Sequence, residues 1–168
     1  MENDDPIIRP VRDTDFERWL PLWQGYQEFY RARIPEEATR ATWNRFFDER
    51  EPVHCIVAER NGKLVGLAHY LFHRSTWLVG PACYLNDLFV DPSGRRSGVA
   101  RKLIDAVCDA ADKAGAAKVY WLTHESNAAA DEHGAPKVYW LTHESNAAAR
   151  LLYDQVARYG GFIQYQRD

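Results

Sequence analysis

One stretch of this chain occurs twice in tandem, and any fold for it has to accommodate both copies. Asp112–Ala130 and Asp131–Ala149 are abutting blocks of 19 residues that differ only at Lys113/Glu132, Ala114/His133 and Ala117/Pro136. Within them, Lys-Val-Tyr-Trp-Leu-Thr-His-Glu-Ser-Asn-Ala-Ala-Ala stands at Lys118–Ala130 and again at Lys137–Ala149. Stacked repeats need about three units to bury a shared face, so a single pair excludes a solenoid. The block reads instead as a tandem duplication inside a fold that needs one copy.

The 168 residues fit one domain, 1–168, at the usual ~150 residues per domain. A hydrophobic fraction of 46% beside 27% charged residues excludes disorder, collagen and coiled coil. Lys and Arg number 21 against 24 Asp and Glu, giving a net charge of −3. That lacks the basic surplus that phosphate backbones demand, so no nucleic-acid partner is expected. Cys55, Cys83 and Cys108 are far apart and each lies in an apolar run, the pattern of reduced buried thiols. The start, Met-Glu-Asn-Asp-Asp-Pro, is acidic and without an apolar core, unlike a signal peptide. No apolar run approaches the ~20 residues of a membrane span. The expectation is a cytoplasmic protein with no membrane partner.

Ile7–Val11, broken by Pro10, suits an edge strand. Asp13-Thr14-Asp15 with Glu17 reads as a capping box, and Phe16, Trp19, Leu20, Trp23, Tyr26 and Tyr30 follow at helical spacing. Pro21 is expected to kink or split that helix. A second helix opens at Pro35-Glu36-Glu37 and runs to about Phe47. Val53–Glu59 and Leu64–His73 flank Arg60-Asn61-Gly62-Lys63, a strong signal for an antiparallel hairpin. Cys83–Val90 is a strand, and Val99, Leu103, Ile104, Val107 and Ala111 mark one face of a helix that ends near Gly115. Lys137–Thr142 is assigned as the next strand, Ser145 or Asn146 as the cap of a helix through Tyr153 and Val156, and Phe162–Gln166 as the last strand. This order is α/β with a mixed sheet.

Between Cys83–Val90 and the helix at Val99 lies Asp91-Pro-Ser-Gly-Arg-Arg-Ser-Gly-Val-Ala100. Its small residues let backbone approach a ligand, and the helix start offers unpaired N–H groups and a positive dipole end. Arg95, Arg96, Arg101 and Lys102 add charge there, so an anion such as a pyrophosphate fits. Neither the dinucleotide nor the nucleotide glycine fingerprint is present.

Arg95-x-x-Gly98-x-Ala100, following Tyr84-Leu-Asn-Asp-Leu-Phe-Val90, resembles the acyl-coenzyme A pyrophosphate motif of the GNAT superfamily of N-acetyltransferases. Tyr139–Asp154 resembles that family's Asn-x-x-Ala-x-x-Leu-Tyr helix. Within the superfamily the chain looks most similar to spermidine/spermine acetyltransferase and to the yeast histone-and-other-protein acetyltransferase. The resemblance implies a GNAT-like mixed β-sheet with splayed central parallel strands flanked by helices. It implies acetyl-CoA as cosubstrate, with pantetheine on the backbone of Leu88, Phe89 and Val90 and on Asn146. The pyrophosphate would sit on the N–H groups of Arg95, Arg96, Ser97, Gly98, Val99 and Ala100. The activity implied is direct transfer of the acetyl group to a primary amine of a polyamine, an amino acid or a protein. Tyr153 would protonate the leaving thiolate, and the Leu88 N–H would face the carbonyl oxygen.

The base stays open. Spermidine/spermine acetyltransferase-like sequences carry a glutamate where Asn86 stands, and Asn takes no proton. Asp87 is the nearest carboxylate, but strand alternation points it away from Asn86 unless a bulge intervenes; a structural carboxylate and a water chain are the alternatives. The resemblance places the acceptor pocket near the first helices, where Trp19, Trp23, Tyr26 and Tyr30, with Glu28, Glu36 and Glu37, would suit a small-molecule or peptide amine. His69 and His73 lie ~13 Å apart along a strand, too far to chelate, so no metal is expected.

Copy two puts Asn146 and Tyr153 in family spacing and is taken as the functional one. Copy one, with its apolar Val119–Leu122, then becomes an extra strand or a segment packed or exchanged in a homodimer. The opposing arrangement puts copy one in the central strand and displaces the tyrosine. The competing function is an acyl-CoA-binding module whose catalysis is impaired by the duplication.

Overall fold

The computed structural model describes residues 5–124, 150, 151, 154, 155 and 162–167. Six strands form one sheet in the order β1-β2-β3-β4-β5-β6. These are β1 (Ile7–Pro10), β2 (Val53–Arg60), β3 (Lys63–His73), β4 (Ala82–Val90), β5 (Lys118–His124) and β6 (Phe162–Arg167). Neighbours are antiparallel except β4 and β5, which run parallel. Among the described residues the helices α1 (Phe16–Phe29), α2 (Glu36–Arg45) and α3 (Val99–Lys113) flank the sheet.

The hairpin between β2 and β3 forms as its Asn-Gly pair predicts, with Asn61 at φ 50° and Gly62 at φ 74°. The cap forms one turn earlier than the Thr14 and Glu17 pattern suggests, with Asp15 closing back onto Arg12. Asp15 is fully buried, accepts from the Arg12 N–H at 2.9 Å, and is gripped by Arg9 at 2.6 and 3.2 Å. Arg9 also donates to Glu59 at 2.7 Å, and Arg18 pairs with Asp15, so β1, β2 and α1 are tied at one corner. Pro21 does not split α1, which runs unbroken across it.

A larger correction concerns the duplication. The strand beside β4 is Lys118–His124, from copy one, and not Lys137–Thr142, which lies outside the described residues. The physical reason is proximity. Helix α3 ends at Lys113, Gly115 turns the chain at φ 67°, and the Ala117 N–H donates to the Pro81 carbonyl at 2.8 Å. The chain leaving α3 therefore meets copy one first, and a short connection orders fewer residues than a detour. Val119 and Tyr120 are buried as a result.

Two cores result, one on each face of the sheet. Against α3, an aliphatic core joins Val99, Leu103 and Val107 to Ala68, Cys83 and Leu85. Against α1 and α2, an aromatic core joins Trp19, Trp23 and Trp43 to Leu67 and Phe89. α1 lies so close to β4 that a Cβ on Gly25 would stand 2.8 Å from the Phe89 ring. All three cysteines are free and buried.

Candidate active site

Strand β4 changes character at Asn86. The register with β3 pairs Tyr70 with Leu85 and His69 with Asp87, leaving Asn86 as an extra residue. This is a β-bulge, and it swaps the faces of everything beyond it. Cys83 and Leu85 before it point into the aliphatic core, as do Leu88 and Val90 after it. Asp87 and Phe89 are thereby turned toward α1. Pairing between β4 and β5 also stops here, running only from Ala82–Lys118 to Leu85–Trp121. Both strands continue beyond that point, so the central parallel pair splays at the bulge. Leu88, Phe89 and Val90 have their side chains in the two cores, so the splay offers a ligand their backbone.

On the α1 side of the bulge sits a buried polar chain. The Trp19 Nε1–H donates to His69 Nε2 at 3.1 Å, and His69 Nδ1 meets Asp87 Oδ2 at 2.9 Å. Trp is a donor only, so Nε2 accepts and the ring proton sits on Nδ1, which donates to the carboxylate. Asn86 Nδ2 donates to the same Oδ2 at 2.9 Å, and the Tyr26 hydroxyl is also bonded to Asp87. Burial alone would raise the Asp87 carboxyl, but the bonds from His69, Asn86 and Tyr26 outweigh it and hold it below its usual value. Burial, reinforced by the Asp87 charge, pushes the Tyr26 phenol far up, so its hydroxyl keeps its proton and donates. The same two causes raise Tyr30.

On the other side of the splay, β4 runs through Pro92–Gly94 into α3. Asp91 accepts from the Ser93 N–H at 2.9 Å, and the Ser97 hydroxyl donates to the Gly94 carbonyl at 2.7 Å. Arg96 at φ 59° and Gly98 at φ 76° turn the loop into the helix. Among the described residues no side chain caps α3, whose first internal bond runs from the Lys102 N–H to the Gly98 carbonyl at 3.1 Å. The N–H groups of Val99, Ala100 and Arg101 therefore have no helical acceptor and face outward at the positive dipole end. Arg95 folds back onto the Val90 carbonyl at 3.2 Å, and exposed Arg96 and Arg101 lie beside the turn. An uncapped helix start a few residues from a splayed strand suits a pyrophosphate joined to an extended amide-bearing arm.

Of the residues read from the sequence, Asp87 and Leu88 to Ala100 come together around the splay. Asn146 and Tyr153 lie outside the described residues. Trp19 and Trp23 are buried beneath His69, while Tyr26 and Tyr30 are half-buried at Asp87. The acids expected at the acceptor pocket are not part of this cluster. Glu28 is exposed, and Glu36 pairs with Arg40 on the surface of α2. His69, set aside in the sequence as a metal ligand, is 2% exposed and central to the site. Its only sequence mark was a polar residue inside the apolar run Leu67–Leu71. Among the described residues no group of three or more His, Cys, Asp or Glu side chains could hold a metal, and no helix is long and apolar enough to cross a membrane.

Residues 19–132 match the Acetyltransferase (GNAT) family. The chain is similar to the D-amino-acid N-acetyltransferase of Saccharomyces cerevisiae, 34% identical over 170 residues that cover 100% of this chain and 94% of that protein. It is also similar to the thialysine N-epsilon-acetyltransferase of Mus musculus, 33% identical over 62% of this chain and 66% of that protein. Among solved structures, AAC(6')-Iy in complex with the bisubstrate analogue CoA-S-monomethyl-acetylneamine superposes with a TM-score of 0.60 over 93% of this chain and 92% of that one, at 19% identity. The chain belongs to the GNAT family of acetyltransferases, and the splayed α/β sheet implied by its motifs is the fold it has. It is an acetyl-CoA-dependent N-acetyltransferase acting on amines.

Proposed function

We propose that the acceptor is the primary amine of a small molecule, a free amino acid first among them. The observation that carries this reading is the bulge at Asn86. It opens the sheet for acetyl-CoA on one side and sets a buried carboxylate among aromatic rings on the other. Similarity along the whole chain to an amino-acid acetyltransferase favours amino acids over polyamines or protein amines.

In the reaction the amine nitrogen bonds to the thioester carbonyl carbon and the carbon–sulfur bond breaks. One amine proton is lost and the thiolate gains one. A free alkylammonium has a pKa near ~10.4, so the site must accept the deprotonated form or move its proton out through water. Asp87, already accepting from His69, Asn86 and Tyr26, is suited to attracting the cation and poorly suited to taking its proton. Arg95 to Ala100 would bind the pyrophosphate, Asn146 the pantetheine arm, and Leu88 N–H the developing oxyanion. Tyr153 is the proposed acid. Gly98→Val, which forces a branched residue into the left-handed region, is expected to raise the KM for acetyl-CoA and leave the KM for the amine unchanged.

Occupation of β5 by copy one favours a second reading, an acyl-CoA-binding domain with weakened turnover. Tyr153 then follows the strand end His124 by 29 residues, whereas it follows His143 by ten. Deleting Asp112–Ala130 tests this directly: restored turnover supports the weakened form, and unchanged turnover refutes it. The buried free thiols support a reducing, cytoplasmic location. A homodimer is the proposed assembly, with Trp77 and Val79, both almost fully exposed, as apolar surface; light scattering decides it.

Amine-dependent coenzyme A release, measured with amino acids, polyamines and a lysine peptide, tests the acceptor assignment. Turnover confined to polyamines or peptide would overturn it.

A further inference from the structure

The buried chain Trp19–His69–Asp87 ends on a side chain that reaches the surface. Asn86 is exposed, while Asp87 is 8% exposed and His69 2%. An ionised carboxylate only accepts hydrogen bonds, so the end of the Asn86 amide facing Asp87 is Nδ2, and Oδ1 is the opposite end. Among the described residues Oδ1 has no partner. The amide plane is thus fixed from within, and the exposed end shows the acceptor Oδ1 beside the second N–H of Nδ2.

His69 is itself fixed at both nitrogens, by Trp19 at 3.1 Å and Asp87 at 2.9 Å, inside rings of Trp19, Trp23 and Phe46. Among the described residues three elements each give Asp87 a donor: His69 from β3, Tyr26 from α1, and Asn86 from the bulge itself. A carboxylate with this many donors is held in one rotamer, and Asn86 is held by it.

We propose that Asn86 Oδ1 receives an N–H of the acceptor amine, and that His69, itself held by Trp19, is the positioning residue that orients Asn86 through Asp87. The inference rests on the amine-acetylation reading above. It adds a specificity rule: the Oδ1 end of the bulge reads a hydrogen-bond donor. A substrate carboxylate placed there would meet Oδ1 and the Asp87 charge together, so the acceptor enters amine first with its anionic groups turned away.

The test uses the full chain, acetyl-CoA and the best amine from the panel, with both KM values and kcat measured for each variant. Asn86→Ala is expected to raise the amine KM about tenfold, the size of one lost hydrogen bond to a charged donor, without changing the acetyl-CoA KM. His69→Leu should reproduce that rise. His69→Asn keeps an N–H where Nδ1 stands and should bring the amine KM back to within about threefold of the original. An unchanged amine KM in Asn86→Ala overturns the contact. A His69→Asn variant as impaired as His69→Leu overturns the positioning role. Should the His69 variants fail to fold, Tyr26→Phe removes another donor to Asp87 while keeping the ring, and an unchanged amine KM there overturns positioning through Asp87. Absence of amine-dependent release from the unaltered protein overturns the acetylation reading and this inference with it, an outcome distinct from the other three.

Discussion

The two faces of this sheet are built from different chemistry. Behind β3 and β4, toward α3, the core is aliphatic and small: Val99, Leu103, Val107, Ala68, Cys83 and Leu85. In front, toward α1 and α2, three tryptophans and Phe89 form an aromatic core, and the rings of Trp19, Trp23 and Phe46 enclose His69, which holds Asp87. The first face only has to bury area. The second buries area and also a charge, which demands a donor for each exposed lone pair. One residue, Asn86, separates the two roles by turning Asp87 to the front.

The comparison breaks most severely on the aliphatic face. Leu103 is fully buried, so Leu103→Ala should cost about 3–4 kcal/mol in denaturant unfolding. The same variant should leave the amine KM unchanged; a shift in KM would mean the faces are not separate. Next comes the corner that ties β1, β2 and α1. Asp15→Ala removes one of the two carboxylates that hold buried Arg9, leaving it Glu59 alone, and should cost about 2–3 kcal/mol. The grip of Arg9, Arg12 and Arg18 overcomes burial and lowers the Asp15 carboxyl to about 2. Because the folded value lies below the unfolded ~3.9, this stability is complete above that pH and is lost as pH falls toward the folded value. Acid titration of the melting midpoint should show the loss in the original protein and a shallower slope in the variant.

Gly25→Ala sharpens the contrast on the aromatic face. Its Cβ would meet the Phe89 ring at 2.8 Å, for a cost of about 1–2 kcal/mol by overpacking. By moving α1 relative to β4 it should also raise the amine KM, which Leu103→Ala should not. The smallest effect is expected at the solvent-exposed rim of the aromatic face, where Arg40 lies over the Phe16 ring. Arg40 pairs with Glu36 in solvent, so Arg40→Gln should change stability by less than about 0.5 kcal/mol and leave catalysis intact.

What the sequence made legible follows the same division between local and non-local causes. The Asn61-Gly62 hairpin, the apolar stripe of α3 and the glycine-rich turn into it are written in adjacent residues, and each formed where expected. The bulge was not legible, because it exists only in the register between β3 and β4. Without that register the face of Asp87 could not be assigned, and nothing in the sequence tied His69 to it. The choice of copy for β5 was undetermined for a different reason. The strand residues Lys118–His124 and Lys137–His143 are identical, so only chain connectivity from α3 distinguishes them.

The most direct test of the whole account is coenzyme A release from acetyl-CoA, measured with and without a free amino acid as acceptor. The account predicts release that rises with acceptor concentration to saturation, and an acceptor KM that increases in Asn86→Ala while the acetyl-CoA KM does not. Release that no amine alters would contradict it.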